Sequence, residues 1–312
     1  MMGPEQHSGD SPRGLAFALA AYGLWGLLPI YMKALSQIPA AEIIAHRVIW
    51  SLPIVAAVLL WQRRQDDVAA ALRRPRLLAM AAVTATLISI NWLTYVWAIT
   101  NDHALDAALG YYINPLFSVL LGGLLLGERL NRAKILAISL AFAAVVILTV
   151  QAGRLPLVAV ILTLSWGLYA YFKKSLPLGP NQGFTLEVLL LCPIALAYLG
   201  WLAVTEQGHF LGGGKGNMLL LLGCGPVTAI PLLFYANGAK LLRLSTMGIL
   251  QYVTPTMIFL CAVLIFGEPL GLPRLIAFPL IWAALAIYSV TLLREAGARR
   301  RSRSQAVTQR MQ

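Results

Sequence analysis

The chain has 312 residues, of which 59% are apolar and only 12% are charged. A soluble domain carries about 25% charged residues, so this composition and a mean hydropathy of +0.75 exclude an ordinary soluble protein. The net charge of +12 does not indicate nucleic-acid binding, because uncharged stretches such as 135–150 and 219–238 separate the basic residues. The composition instead indicates an integral membrane protein.

Ten apolar runs follow one another along the chain, joined by short polar connections. They lie near residues 14–33, 44–61, 76–99, 104–126, 132–150, 155–173, 184–204, 218–239, 245–266 and 273–293. Each is close to the roughly 20 residues that a helix needs to cross a bilayer. The runs are too long and too continuously apolar for the alternating strands of a membrane barrel. The sequence therefore predicts an all-α integral membrane fold with ten transmembrane helices.

The basic residues are distributed unevenly between the two sides of these runs. If the N-terminus is cytoplasmic, 19 of the 24 Lys and Arg residues lie on the cytoplasmic side. Positive charge is retained on that side of bacterial membranes, so we expect both termini in the cytoplasm. Residues 1–13 then form a cytoplasmic N-terminal tail. Residues 294–312 form a basic cytoplasmic tail that we expect to lie against anionic lipid.

The two halves of the chain match each other at a shift of 140–141 residues. The shared landmarks are WG at 25–26 and 166–167, YINP at 112–115 with YVTP at 252–255, and GE at 127–128 and 267–268. Each half holds five predicted spans, an odd number, so the second half must enter the membrane with the opposite polarity. The sequence thus predicts two inverted five-helix repeats, 14–152 and 153–293, as in many secondary transporters.

Several motifs also resemble one known family. They are AYGLWG at 21–26, EIIAHRVIWS at 42–51, NW at 91–92, LGYYINPL at 109–116, LST at 244–246 and QYVTPT at 251–256. They are similar to the motifs of RarD proteins, in the EamA branch of the drug/metabolite transporter superfamily, over about residues 14–293. The resemblance implies two EamA-like repeats, a bacterial inner-membrane location and a central cavity. The family name refers to chloramphenicol sensitivity, and the motifs imply no natural substrate.

Ionisable residues inside an apolar run require a partner or a function. Glu42, His46 and Arg47 open the second run, and Glu42 and His46 share a helical face. We expect them at the outer mouth of a cavity, where Glu42 and His46 are candidates for coupling to a proton and His46 and Arg47 for binding solute. The alternative is an interfacial network that snorkels outward and anchors the helix.

Asn91, Trp92 and Tyr95 lie in the middle of the third run. A buried amide must hydrogen-bond another helix or face a cavity, and an aromatic cavity suits an amphipathic or aromatic solute. The hypothesis is that these three residues bind the solute. The alternative is that they join one helix to another.

Further candidates come from the repeat. Tyr112, Asn114, Gln251 and Tyr252 are expected to bind solute, and Trp25 is a weaker candidate because Gly26 beside it could instead allow close helix packing. Pro115 and Pro255 are expected to act as gating hinges, since a proline removes one helical hydrogen bond. Three glutamates complete the set. Glu187 is a coupling candidate, whereas Glu128 and Glu268 are expected to cap helices or to anchor them at the membrane interface.

These features favour a secondary transporter that moves a small organic solute by alternating access. No nucleotide-binding motif, metal site, cofactor site or catalytic constellation is recognisable in the sequence. The expected partners are the solute, the lipid bilayer and a coupling ion such as a proton, with no nucleic acid. A homodimer is compatible with the sequence, although no face for it stands out. The alternatives are a membrane-embedded enzyme and a non-transporting sensor or assembly factor.

Overall fold

Apolar helices run through nearly all of the chain in the computed structural model, which describes residues 11–126, 131–153, 155–242 and 244–310. No β-strand occurs within these ranges. In chain order the helices are α1 (Pro12–Ala34), α2 (Ala40–Trp61), α3 (Gln65–Leu72), α4 (Pro75–Thr100), α5 (Ala104–Leu126), α6 (Arg132–Ala152), α7 (Leu157–Ser175), α8 (Pro180–Val204), α9 (His209–Gly212), α10 (Gly214–Leu241), α11 (Leu244–Leu250), α12 (Val253–Leu260) and α13 (Leu272–Arg310). A π-helical segment, Cys261–Ile265, follows α12 directly.

Eight helices of the described chain are long and apolar enough to cross a membrane: α1, α2, α4, α5, α6, α8, α10 and α13. Two shorter apolar helices, Leu157–Lys173 and Val253–Ile265, coincide with the sixth and ninth predicted runs. The prediction of an all-α fold with many apolar helices is therefore confirmed. Two short helices, α3 and α9, lie in connections that the sequence pattern left without structure.

The ninth predicted run is not one continuous helix. It is divided into α11, α12 and the π-helical segment, and the break between α11 and α12 lies at Gln251 and Tyr252. Pro255 stands in the first turn of α12, where a missing backbone N–H costs nothing. A continuous helix through Gln251 would instead lose the bond to the Gln251 carbonyl and crowd the proline ring.

The last helix is longer than predicted. The apolar pattern ends near residue 293, yet α13 continues to Arg310. The segment beyond 293 is rich in Ala, Arg and Gln, which favour helix even without an apolar face. The predicted C-terminal tail therefore begins as an extension of the last helix.

Polar contacts between residues at or near the helix ends form two groups at opposite ends of the bundle. One group includes the ion pairs Lys33–Asp102 (2.5 Å) and Asp106–Arg274 (3.0 Å). We call this end of the bundle the Glu268 end, because Glu268 contacts the first residues of α5 there. The other includes Lys134–Glu295 (2.8 Å), the bond from Gln182 to Asp67 (3.2 Å) and the bond from Ser11 to Leu241 (3.3 Å), and we call it the Glu295 end. When α7 and α12 are counted with the eight longer helices, successive helices run alternately between these two ends.

Helices of residues 14–152 pack against helices of residues 153–293 in a reciprocal pattern. The first helix of each half packs on the third and fourth of the other: α1 on α10 and α12, and α7 on α4 and α5. The second helices pack on each other, α2 on α8, as do the fifth helices, α6 on α13. Exchanging the halves thus maps each of these pairings onto another of them or onto itself.

Small residues allow these helices to approach closely. A Cβ atom at Gly26 would collide with Met257 of α12, and one at Gly225 would collide with the backbone of Trp50 in α2. Glycines at helix crossings bring backbones into van der Waals contact, which drives association inside lipid. Gly26 therefore has the packing role that the sequence left open.

Glu268 caps the N-terminus of α5. Its carboxylate accepts the backbone N–H groups of Ala104 (2.6 Å) and Leu105 (3.0 Å), and its residue is only 6% exposed. Capping is one of the two roles that the sequence predicts for this residue. The equivalent Glu128 lies outside the described residues.

We predict that Glu268→Ala destabilises the protein by about 1–2 kcal/mol, because two buried N–H groups lose their acceptor. The thermal midpoint of the purified protein in detergent measures the effect. Asp66→Ala, at an exposed position in the first turn of α3, is the matched control and should change the midpoint little. Equal midpoints for both variants would contradict the capping role.

Candidate functional site

Buried polar side chains are concentrated where α2, α4, α5, α7 and α10 meet. Each belongs to a residue that is at most 6% exposed: Glu42, His46, Arg47, Asn91, Thr163, Ser165 and Thr228. Polar groups at this depth need protein partners or a water-filled cavity, because lipid offers neither donors nor acceptors. We call Arg47, Asn91, Trp92, Tyr95, Tyr111 and Thr228 the central cluster.

The short helix α9 covers the N-terminal turns of α2. Glu42 Oε1 accepts a hydrogen bond from the backbone N–H of His209 (2.7 Å). Glu42 Oε2 lies 2.8 Å from Nδ1 of the His209 ring. Phe210 stacks on the His46 ring with 4.9 Å between centroids. Trp50 Nε1 donates to His46 Nδ1 (3.0 Å), so a neutral imidazole carries its proton on Nε2.

Arg47 points into the bundle and does not snorkel. Because α2 begins at Ala40, four residues earlier than predicted, Arg47 lies about 10 Å from the start of the helix at 1.5 Å per residue. Its Nε donates to Thr228 Oγ1 (3.0 Å) on α10, and its Cζ lies 4.7 Å from the centre of the Trp92 ring. The contact with Thr228 joins the two halves of the chain.

Asn91 joins three helices. Its Nδ2 donates to the Leu162 carbonyl (3.2 Å) and to Ser165 Oγ (3.0 Å) on α7, and its Oδ1 accepts from the Tyr111 hydroxyl (3.1 Å) on α5. These bonds match the alternative in which the amide holds helices together. Its predicted role in binding solute stays a prediction.

Aromatic rings surround this polar centre. Tyr95 and Tyr111 lie 5.7 Å apart between ring centres, and Trp166 meets Tyr111 edge-on at 6.5 Å. The sequence singled out Tyr112 because it matches Tyr252 in the repeat, whereas its neighbour Tyr111 is the one that reaches the central cluster. A polar side chain inside a long apolar run is the sequence signal that could have identified Thr228. No sequence signal distinguishes Tyr111 from its neighbour Tyr112.

Tyr112 and Tyr252 lie elsewhere, in a groove of about 390 Å³ between α5, α12 and α13. The Tyr112 hydroxyl is 2.8 Å from Thr256 Oγ1, and Trp282 forms the far wall. Gln251 is half-buried at the turn that separates α11 from α12. These three predicted solute-binding residues are therefore grouped apart from Arg47.

The remaining candidates are dispersed. Trp25 packs on Tyr22 and on Tyr235 of α10, with ring centres 5.9 and 5.7 Å away. Asn114 is 5% exposed, and its Oδ1 has no partner among the described residues. Pro115 stands inside α5, where it frees the carbonyl of Tyr111, a residue of the central cluster.

Glu187 is neutralised by its neighbours. Its Oε1 lies 2.6 Å from Lys173 Nζ, and its Oε2 accepts from the Tyr169 hydroxyl (3.2 Å). The repeat shift places Glu187 at the position equivalent to Arg47, so corresponding sites carry opposite charges. The sequence did not identify Lys173 as its partner.

Comparison with known proteins identifies the family. The model of the EamA-like transporter family matches residues 12–150. The chain is 43% identical to protein RarD of Streptomyces exfoliatus, over 93% of this chain and 91% of that protein. The chain belongs to the RarD family of EamA-like transporters. It is a multi-pass membrane protein, and the transporter family that it matches points away from an enzyme.

Other relatives agree with this membership. An uncharacterized transporter of Vibrio cholerae is 42% identical over 97% of this chain and 99% of its own. A chloramphenicol-sensitive protein RarD of Pseudomonas aeruginosa is 31% identical over 93% and 98%. One crystal structure shares the fold with a TM-score of 0.56 at 20% identity, over 90% of this chain and 98% of that chain.

We predict that Asn91→Leu destabilises the protein by about 1–3 kcal/mol, because the Tyr111 hydroxyl and Ser165 Oγ lose a buried partner. Tyr111→Phe is the matched variant, since it removes only the hydroxyl. Thermal midpoints of both single variants and the double variant should show about 1 kcal/mol of coupling. Strictly additive effects would show that the two side chains do not interact.

Proposed function

We propose that this RarD-family protein is a secondary transporter of a small organic solute, in which two inverted five-helix halves alternate access to a site between them. The repeat at a shift of 140–141 residues supports the inversion. The reciprocal packing of the halves supports it independently. Two packings of similar energy and opposite sense are what alternating access requires.

The observation that carries the proposal is the buried central cluster between the halves. Arg47 on α2 bonds Thr228 on α10, and each of the two residues is at most 4% exposed. The Arg47 guanidinium lies deep in the bundle and joins the first half of a transporter-family protein to the second. A solute can reach such a site only if the bundle opens to one side of the membrane or the other.

Contacts between the halves close the bundle at both ends. Glu42 with His209 connects α2 to α9 at the Glu268 end. The bond from Gln182 to Asp67 connects α8 to α3 at the Glu295 end. In the proposed cycle one set of contacts breaks while the other persists, so that the site never faces both sides at once.

In this proposal the Glu295 end and both termini face the cytoplasm across a bacterial inner membrane, and the distribution of basic residues supports that orientation. Glu42, His46 and Glu187 remain the candidates for coupling to a proton. Their partners support this role, because protonation of Glu42 would weaken its contacts with His209, and protonation of Glu187 those with Lys173 and Tyr169. A proton on Glu42 would thus release a contact between the halves at the Glu268 end, whereas a proton on Glu187 would loosen α8 from α7 within the second half.

We predict that the native Cys224, 0% exposed beside the central cluster, reacts with a membrane-impermeant thiol reagent from either side of the membrane. Vesicles of both orientations, with Cys192 and Cys261 replaced by alanine, provide the two sides. Glu42→Gln should increase the rate of Cys224 labelling from the Glu268 end about tenfold. The reason is that it weakens the charge-assisted hydrogen bonds between Glu42 and His209 by about 1.4 kcal/mol.

Glu206→Gln, at an exposed position of the same end, is the control and should leave both rates unchanged. Labelling of Cys224 from one side alone, with and without Glu42→Gln, would contradict alternating access.

A further inference from the structure

Two neighbouring donors in the central cluster have no acceptor. Arg47 Nη1 and the Tyr95 hydroxyl are both buried and have no hydrogen-bond partner among the residues that the structure describes. Their residues are 4% and 3% exposed, so water at the surface does not satisfy them. A buried donor without an acceptor costs about 1–3 kcal/mol, and more when it is charged.

Arg47 also differs from the buried carboxylates in the described parts of the chain. Glu42 pairs with His209, Glu187 pairs with Lys173, and Glu268 accepts two backbone N–H groups. No described carboxylate lies within ion-pair distance of Arg47, which has only the Thr228 hydroxyl and the face of Trp92. These two contacts orient the guanidinium without neutralising it.

We infer that Arg47 and Tyr95 bind the carboxylate of a transported organic monoanion. The inference rests on the proposed transport function and names its substrate class. Nη1 supplies a charged donor. The Tyr95 hydroxyl supplies a second donor on the same face, since Tyr95 lies one helical turn after Trp92 on α4 and the guanidinium lies against the Trp92 ring. A carboxylate accepts hydrogen bonds from both and cancels the buried charge.

The charge balance favours a monoanion. Arg47 contributes a single positive charge, so a carboxylate leaves the site neutral, whereas a dianionic phosphate would leave one uncompensated negative charge at the same depth. The surrounding rings of Trp92, Tyr111 and Trp166 provide an apolar, aromatic wall for the body of the solute. The class is therefore a small carboxylate with an aromatic or otherwise apolar body.

Matched pairs of ligands test the charge requirement directly. Benzoate, phenylacetate and indole-3-acetate are compared with their uncharged amides, and phenyl phosphate serves as the dianion. Each is added to the purified full-length chain in detergent, and the thermal midpoint is recorded across a concentration series. We expect carboxylates to raise the midpoint at concentrations at which the amides and the phosphate do not.

Variants then assign the effect to the two residues. Arg47→Met should weaken carboxylate binding about 10- to 100-fold and Tyr95→Phe about tenfold, given the usual strength of bonds to charged groups. Arg47→Met should not lower the unliganded midpoint, because it removes an unpaired buried charge, whereas a purely structural arginine predicts a clear loss. Lys134→Met removes a cation at the Glu295 end and should keep the full response.

Carboxylates that stabilise the protein no better than their amides, or a response that survives in Arg47→Met, would overturn the inference. If Arg47→Met does not fold, Tyr95→Phe, which keeps the aromatic ring, provides the test instead. Carboxylate binding by Tyr95→Phe that is as strong as that of the native protein would overturn the inference. Neither result changes the labelling of Cys224. Failure of the substrate assignment is therefore distinguishable from failure of alternating access.

Discussion

A charged side chain inside a membrane bundle must meet an opposite charge, be fully hydrogen-bonded or be held ready for a ligand, because hydrocarbon provides no solvation. The buried carboxylates of this protein follow the first two routes, through His209, Lys173 and the N-terminus of α5. Arg47 follows the third. Its position between α2 and α10 makes the contact between the two halves depend on what the guanidinium binds.

The reciprocal packing explains how such a contact can serve two conformations. The first, second and fifth helices of each half pack on equivalent helices of the other half, and this symmetry is what the proposed alternation between two arrangements requires. Glycines at the crossings of α1 with α12 and of α2 with α10 allow these helices to approach each other closely. The sequences at corresponding positions differ, with Arg47 opposite Glu187, so the two arrangements need not be equal in energy.

Much of this architecture could be predicted, because hydropathy and the repeat can be read directly from the sequence. Each predicted apolar run coincides with helix, and Glu268 caps α5 as expected. What could not be predicted depends on tertiary contact. Nothing local indicates that Tyr111 and not Tyr112 meets Asn91, that His209 meets Glu42, or that the ninth run breaks at Gln251. The repeat grouped Tyr112 with Tyr252 correctly, yet their groove lies apart from Arg47.

The claim that the halves exchange open ends can be measured with two pairs of spin labels. Gln37 and Asn217 bridge the halves at the Glu268 end, and Gln62 and Asn181 bridge them at the Glu295 end. Pulsed electron resonance distances in nanodiscs, taken for each pair separately, report the opening of each end. The account predicts two populations for each pair, and a condition that lengthens one distance should shorten the other. Distances that lengthen together, or that stay fixed under all conditions, would contradict it.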